Sequence, residues 1–236
     1  MGEEEVQLVG GRQSSGIVRV GDAVRRPLHR NSEFVHALLR HFETVGFDGA
    51  PRLLGIDDER REILTYIDGE VFVGPDEVGD PVRPLSDPQL ASAGRLIRRF
   101  HDATAGTSLA GAAEVVCHPD LGQHNIVFRD EEAVAIIDWD EDVARGSRIF
   151  DLSHAVWCLA EIGEQGGAVA DQARRARIVC AAYGWGDRSA LIGEIEARFR
   201  RALAHAEENE LEEPARIWTT MLGWLLENSP ALKAQL

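Results

Sequence analysis

The stretch VCHPDLGQHNIVF, Val116 to Phe128, sets two histidines, an aspartate and an asparagine between short apolar runs. Apolar ends of this kind anchor a segment in a core, and polar groups placed there cost free energy unless each is hydrogen-bonded or used. The polar middle therefore reads as a chemistry-bearing loop that enters a strand at Asn125. A second strand, AVAIID (Ala133 to Asp138), follows across the acidic turn Arg129-Asp130-Glu131-Glu132. A hairpin brings the outer ends of its strands together. Asn125 and Asp138 are thus expected to face each other, with the Asp120 carboxylate beside them.

Working outward, the chain before this point divides in two. VQLVGG, GIVRVGD and AVRRPL read as three short antiparallel strands punctuated by glycines, and PRLLGIDD and REILTYIDG as two more. Between them SEFVHALLRHFETVG repeats Phe34, Leu38 and Phe42 at helical spacing and stops at Gly46. The segment GPDEVGDPVRPLSDPQ, with its prolines and acids, reads as a surface linker. Beyond it Ser86 with Gln89 makes a capping-box pattern ahead of the apolar stripe Leu90, Ala93, Ile97, Phe100. From Phe150 onward the pattern is helical with few breaks. The expected fold is α+β and two-lobed, with a five-stranded antiparallel first lobe carrying one helix (1–69) and a mainly helical second lobe (70–236).

An amide and a carboxylate oxygen suit a hard cation such as Mg²⁺, which keeps waters and shares its shell with phosphates. Asp120 is then placed to accept a proton from, or orient, an attacking hydroxyl. That layout serves phosphoryl transfer, which needs positioning and charge neutralisation more than covalent chemistry. The same residues leave a metal-dependent hydrolase open, with His118 and His124 joining Asp120 and Asp138 on an ion.

The motif HPDLGQHN matches the H-x-D-x-x-x-x-N catalytic loop of kinase-like phosphotransferases, and IIDWD resembles the metal-binding aspartate segment that follows it. The chain resembles the aminoglycoside phosphotransferase and choline kinase family, which has a protein kinase-like fold. The resemblance implies Asp120 as the catalytic aspartate, Asn125 and Asp138 as Mg²⁺ ligands, His118 as support for the metal-binding segment, and Asp151 as a buried brace of the catalytic loop. It implies a basic residue on the third strand for the nucleotide phosphates, where this chain has Arg25-Arg26. Strand alternation favours Arg25, with Glu33 as its helical partner. Ser14 and Ser15, in the loop GGRQSSG, are placed to donate to phosphates. Backbone groups of Thr65 and Ile67 are expected to meet the purine, with Leu64 shaping its pocket. His124 reads as a local packing or hydrogen-bonding residue.

The co-substrate implied is ATP or GTP, and the acceptor a small molecule with a hydroxyl. A protein kinase carries arginine after the loop histidine and a long activation segment. This chain has Pro119 and only a short stretch from Asp138 to Asp151, which disfavours a peptide acceptor. A nucleotide-binding pseudokinase is the alternative from another class, opposed by the intact Asp120, Asn125 and Asp138.

Composition bounds these readings. In 236 residues the formal net charge is -15, which disfavours nucleic acid or an anionic membrane as partner and suits a cationic acceptor such as an aminosugar or amino alcohol. The three cysteines, Cys117, Cys158 and Cys180, give neither a disulfide framework nor a CxxC pair. The acidic start MGEEEVQ lacks the basic and apolar regions of a signal peptide. A cytoplasmic setting is expected.

Overall fold

The computed structural model describes residues 5–8, 16–72, 84–140 and 142–236. Five short strands, β1 (Glu5–Gln7), β2 (Val18–Val20), β3 (Ala23–Pro27), β4 (Leu53–Ile56) and β5 (Arg61–Thr65), form one antiparallel sheet in the order β1-β2-β3-β5-β4. Helix α1 (Ser32–Val45) carries Val35, Leu38, Leu39 and Phe42 on one buried face, at the spacing that turns a helix stripe inward. It stops at Gly46, whose φ of 72° is left-handed and lets Phe47 N–H return to the Phe42 carbonyl.

The remainder is mainly helical. Helix α2 (Asp87–Thr104) starts at the expected capping box, Ser86 and Gln89 satisfying each other's backbone N–H. Two small sheets follow, β6 (Val115–Cys117) with β9 (Ala144–Gly146), and β7 (Ile126–Arg129) with β8 (Glu132–Ile136). Helices α3 (Arg148–Leu159), α4 (Val169–Tyr183), α5 (Arg188–Glu208) and α6 (Glu212–Gln235) complete the fold. Most of the linker read from the sequence, 74–83, lies outside the described residues. No helix among the described residues is long and apolar enough to cross a membrane.

Three devices hold the sheet-bearing part against the β7–β8 hairpin. Trp139, buried just after β8, meets Phe42 of α1 at 5.3 Å and Phe100 of α2 at 5.0 Å, both edge-to-face. Such pairs add about 0.5–1.5 kcal/mol beyond area burial. Glu70 and Phe128 exchange two backbone hydrogen bonds of 2.8 Å. Gly69 permits that approach, because its φ is 146° and a Cβ there would run into the Phe128 carbonyl and Val127. Finally, Ile136 N–H donates to the Gly49 carbonyl at 2.9 Å and Asn31 Nδ2 to the Val143 carbonyl at 2.8 Å.

Candidate active site

The hairpin sets the site. Ile126 pairs with Ile136, and one step further out Ile137 N–H donates to the Asn125 carbonyl at 2.9 Å. Asp138 is the next residue, so the hairpin brings Asn125 and Asp138 to the same end, as read from the sequence. Asp138 has a φ of 61°, a left-handed conformation that aspartate tolerates better than most residues. The Asn125 Oδ1 and Asp138 Oδ2 atoms carry no hydrogen-bond partner among the described residues.

Asp120 lies on the loop between β6 and the turn Gln123–Asn125. Its Oδ2 accepts from Asn125 Nδ2 and from His124 Nε2, both at 2.9 Å, and its Oδ1 is 3.4 Å from His154 Nε2. A carboxylate offers about four lone-pair sites. Three are addressed by protein and one is left. Burial by itself raises the Asp120 pKa, but the hydrogen bonds from His124 and His154 outweigh it and hold the carboxyl well below the usual carboxylate range. His124, read from the sequence as a local packing or hydrogen-bonding residue, is a direct hydrogen-bond partner of Asp120. Gly122 makes room for it, since a Cβ at that position would overlap the His124 ring.

Behind the loop, Asp151 is fully buried and its Oδ2 accepts from His118 N–H at 2.8 Å and His101 Nε2 at 3.0 Å. His118 Nε2 in turn donates to the Ile137 carbonyl at 2.9 Å, and its ring meets Trp139 edge-on at 4.9 Å. One aspartate thus holds the start of the loop that carries Asp120, and the histidine it holds supports the residue before Asp138. The far nitrogen of His101 bonds the Tyr183 hydroxyl at 2.7 Å, extending the brace to α4.

The cation on β3 requires a correction. Arg25 turns to the outer face, where Nη1 stands 3.9 Å from Glu5 and 3.8 Å from Asp57. Arg26 enters the site. Its Nε donates to Glu62 Oε1, Nη1 to Asp138 Oδ1 at 3.1 Å, and Nη2 to the Trp139 carbonyl. Alternation along β3 holds, but the inner face is the one shared by Val24 and Arg26, which pair across to Leu64 and Glu62 of β5. Glu33 is exposed at the start of α1 and does not partner the arginine. Glu62, fully buried, does so from a strand, and α1 contributes His36, whose Nε2 lies 2.6 Å from Glu62 Oε2.

The other nucleotide-side expectations divide. Ser14 and Ser15 lie outside the described residues. Leu64 is buried, as expected of a pocket wall. Thr65 N–H is taken by the Arg52 carbonyl at 3.0 Å, so it is a sheet contact rather than a free donor. Ile67, in the connection after β5, carries no backbone hydrogen bond among the described residues. The rings of His118 and His124 are engaged separately, and no cluster of three or more His, Cys, Asp or Glu side chains among the described residues is arranged to hold a metal.

Residues 83–191, which contain Asp120, Asn125, Asp138 and Asp151, match the model of the phosphotransferase enzyme family. The matched segment spans just under half of the chain. Across 99% of its length and 99% of the relative's, the chain is 29% identical to the trifolitoxin immunity protein of Rhizobium leguminosarum bv. trifolii. Among solved structures, the GDP complex of an aminoglycoside 2'-phosphotransferase superposes with a TM-score of 0.59 at 12% identity, covering 99% of this chain and 93% of that one. An aminoglycoside phosphotransferase bound to gentamicin gives 0.59 at 13%, covering 87% and 86%. A choline/ethanolamine kinase family protein from Mesorhizobium loti gives 0.55 at 14%, covering 92% and 84%. At these identities the structural likenesses carry the fold, which is the two-part kinase-like fold of the family. Phosphoryl transfer is the chemistry that the matched family's name gives.

Sequence reading missed Glu62, His36, His101 and His154. Each sits where the apolar pattern demanded a hydrophobic residue: Glu62 alternates with Leu64, His36 follows Val35 on the α1 stripe, His101 follows Phe100, and His154 lies one turn after Asp151. A buried polar residue that breaks its own stripe was the available signal.

Proposed function

We propose that this chain is a small-molecule kinase that transfers the γ-phosphoryl group of ATP or GTP, with Mg²⁺, to a hydroxyl of a small molecule. The observation that carries it is the Asp120 carboxylate with one lone-pair site open, beside two oxygens on Asn125 and Asp138 that have no hydrogen-bond partner among the described residues. An amide and a carboxylate oxygen fit a hard cation that completes its shell with water and phosphate. When bound there, Mg²⁺ would neutralise charge on the phosphates.

The protein's own part follows from geometry. Arg26 offers a guanidinium to phosphate oxygens, held in direction by Glu62. Asp120, kept ionised by its donors, is a weak base and acts by orienting the acceptor hydroxyl. That suffices where the transition state is loose and proton transfer is late. The nucleotide sits between the sheet-bearing part, 1–69, and the helical part, 70–236, with the backbone of Ile67 available to the purine.

The acid-rich chain suits a cationic acceptor such as an aminosugar or amino alcohol, and the gentamicin complex of one structural relative is consistent with that. The full-length relative named for immunity to trifolitoxin supports an acceptor that is itself a toxic compound. The test is thermal stabilisation by Mg²⁺ with ATP and with GTP, followed by turnover against a panel of hydroxylated amines. Stabilisation without turnover of any acceptor, unchanged by Asp120→Ala, would support the pseudokinase instead.

A further inference from the structure

Helix α3 aims two side chains, three residues apart on one face, at the catalytic loop. The first, Asp151, takes the His118 N–H. The second, His154, places Nε2 3.4 Å from Asp120 Oδ1. Its ring is buried, walled by Trp157 edge-on at 5.2 Å. The same Nε2 lies 3.4 Å from Cys158 Sγ.

Burial decides the tautomer. His154 Nδ1 is buried with no hydrogen-bond partner among the described residues, so a proton there would be an N–H without an acceptor. The neutral ring therefore carries its proton on Nε2, directed at Asp120. Burial also opposes the imidazolium, whose second N–H would be the orphan, and lowers the His154 pKa. A Cys–His nucleophile is not the purpose of the contact with Cys158. Burial, then the nearby Asp120 charge, pushes that thiol up to about 12, so no thiolate forms.

We propose that His154 is a positioning residue for phosphoryl transfer, its Nε2–H fixing Asp120 Oδ1 so that the last lone-pair site of the carboxylate meets the acceptor hydroxyl. The inference rests on the reading of Asp120 given above. His124 addresses the opposite oxygen from an exposed place on the loop itself, with a side chain 42% accessible, so it moves with what it holds. His154 is the anchor on a packed helix. A distance of 3.4 Å is long for a hydrogen bond, as catalytic contacts are before substrate binds, and it shortens in the ternary complex.

The experiment uses the full chain with Mg²⁺ and ATP or GTP, with water as the phosphoryl acceptor, and compares wild type with His154→Leu and His154→Gln. Misplacing a reacting group by an ångström costs about 100-fold in rate, so kcat of His154→Leu falls by about that factor, while KM for nucleotide stays within about twofold. His154→Gln, whose amide N–H replaces that of the ring, recovers most of it. Independently of activity, the imidazole NMR signals of His154 report a proton on Nε2 and shift in Asp120→Asn. The proposal is overturned by wild-type kcat in His154→Leu, by His154→Gln falling as far as His154→Leu while melting like wild type, or by His154 signals indifferent to Asp120→Asn. A wild-type chain that neither binds nor turns over nucleotide sinks the kinase reading and this inference with it. A chain that turns over while His154→Leu is unimpaired sinks this inference alone.

Discussion

The two charged centres of this site are built in opposite ways. Around Asp120 and Asn125 the chain supplies nearly everything from a short contiguous loop, with His124 and Asn125 bonding Asp120 across four and five residues. Around Arg26 nothing is contiguous: the guanidinium comes from β3, its carboxylate from β5, the second partner of that carboxylate from α1, and Asp138 from beyond β8. A local loop can be spelled out as a motif, because residue spacing sets which groups meet. A centre assembled from four elements has no such spelling, and its members show only as polar residues that interrupt apolar stripes.

The contrast can be broken experimentally. In the contiguous centre, Asp120→Asn should lower turnover by about 100- to 10,000-fold, the range for a positioned acid or base, with little change in urea-unfolding midpoint. In the assembled centre the order reverses: Glu62→Ala leaves Arg26 buried without its carboxylate, so stability should fall by about 3–5 kcal/mol in urea titration. If Glu62→Ala were as stable as wild type, the centre would not be a structural junction.

Two smaller effects sharpen the assignment. Arg26→Lys loses the planar fork that spans Glu62, Asp138 and Trp139, and should raise KM for nucleotide by about tenfold, the cost of one charge-assisted bond. Arg25→Ala, on the outer face, should leave that KM unchanged and stability within about 0.5 kcal/mol. Equal effects of the two substitutions would remove the distinction between the faces of β3. Least dramatic are the thiols. Burial pushes Cys158 up to about 12 and Cys180 up to about 11, so alkylation of the native protein at pH 8 should be slow at both. In urea both should react quickly.

Local signals foretold much of the rest. The strands, the Gly46 stop, the Ser86–Gln89 box and the hairpin from Asn125 to Asp138 all depend on neighbours within a few residues, and the structure has them where expected. Asp151 accepts the His118 N–H, and the His118 ring donates to the Ile137 carbonyl. The choice of Arg25 over Arg26 failed because alternation says which residues share a face of a strand, not which face turns inward. That depends on the side on which α1 packs. His101 and His154 failed for a related reason: their partners, Asp151 and Asp120, lie 50 and 34 positions away in the chain, beyond the reach of helical periodicity.

The amino-acid order alone determined that Asp120, Asn125 and Asp138 share one end of one hairpin, since a turn and a two-residue alternation leave little choice. Only the tertiary structure decided which arginine enters the cleft, which acid steadies it and which histidine backs Asp120. Those pairings are set by how the sheet, α1, α3 and the hairpin pack, where each buried charge or lone pair must find a partner from whatever element lies opposite.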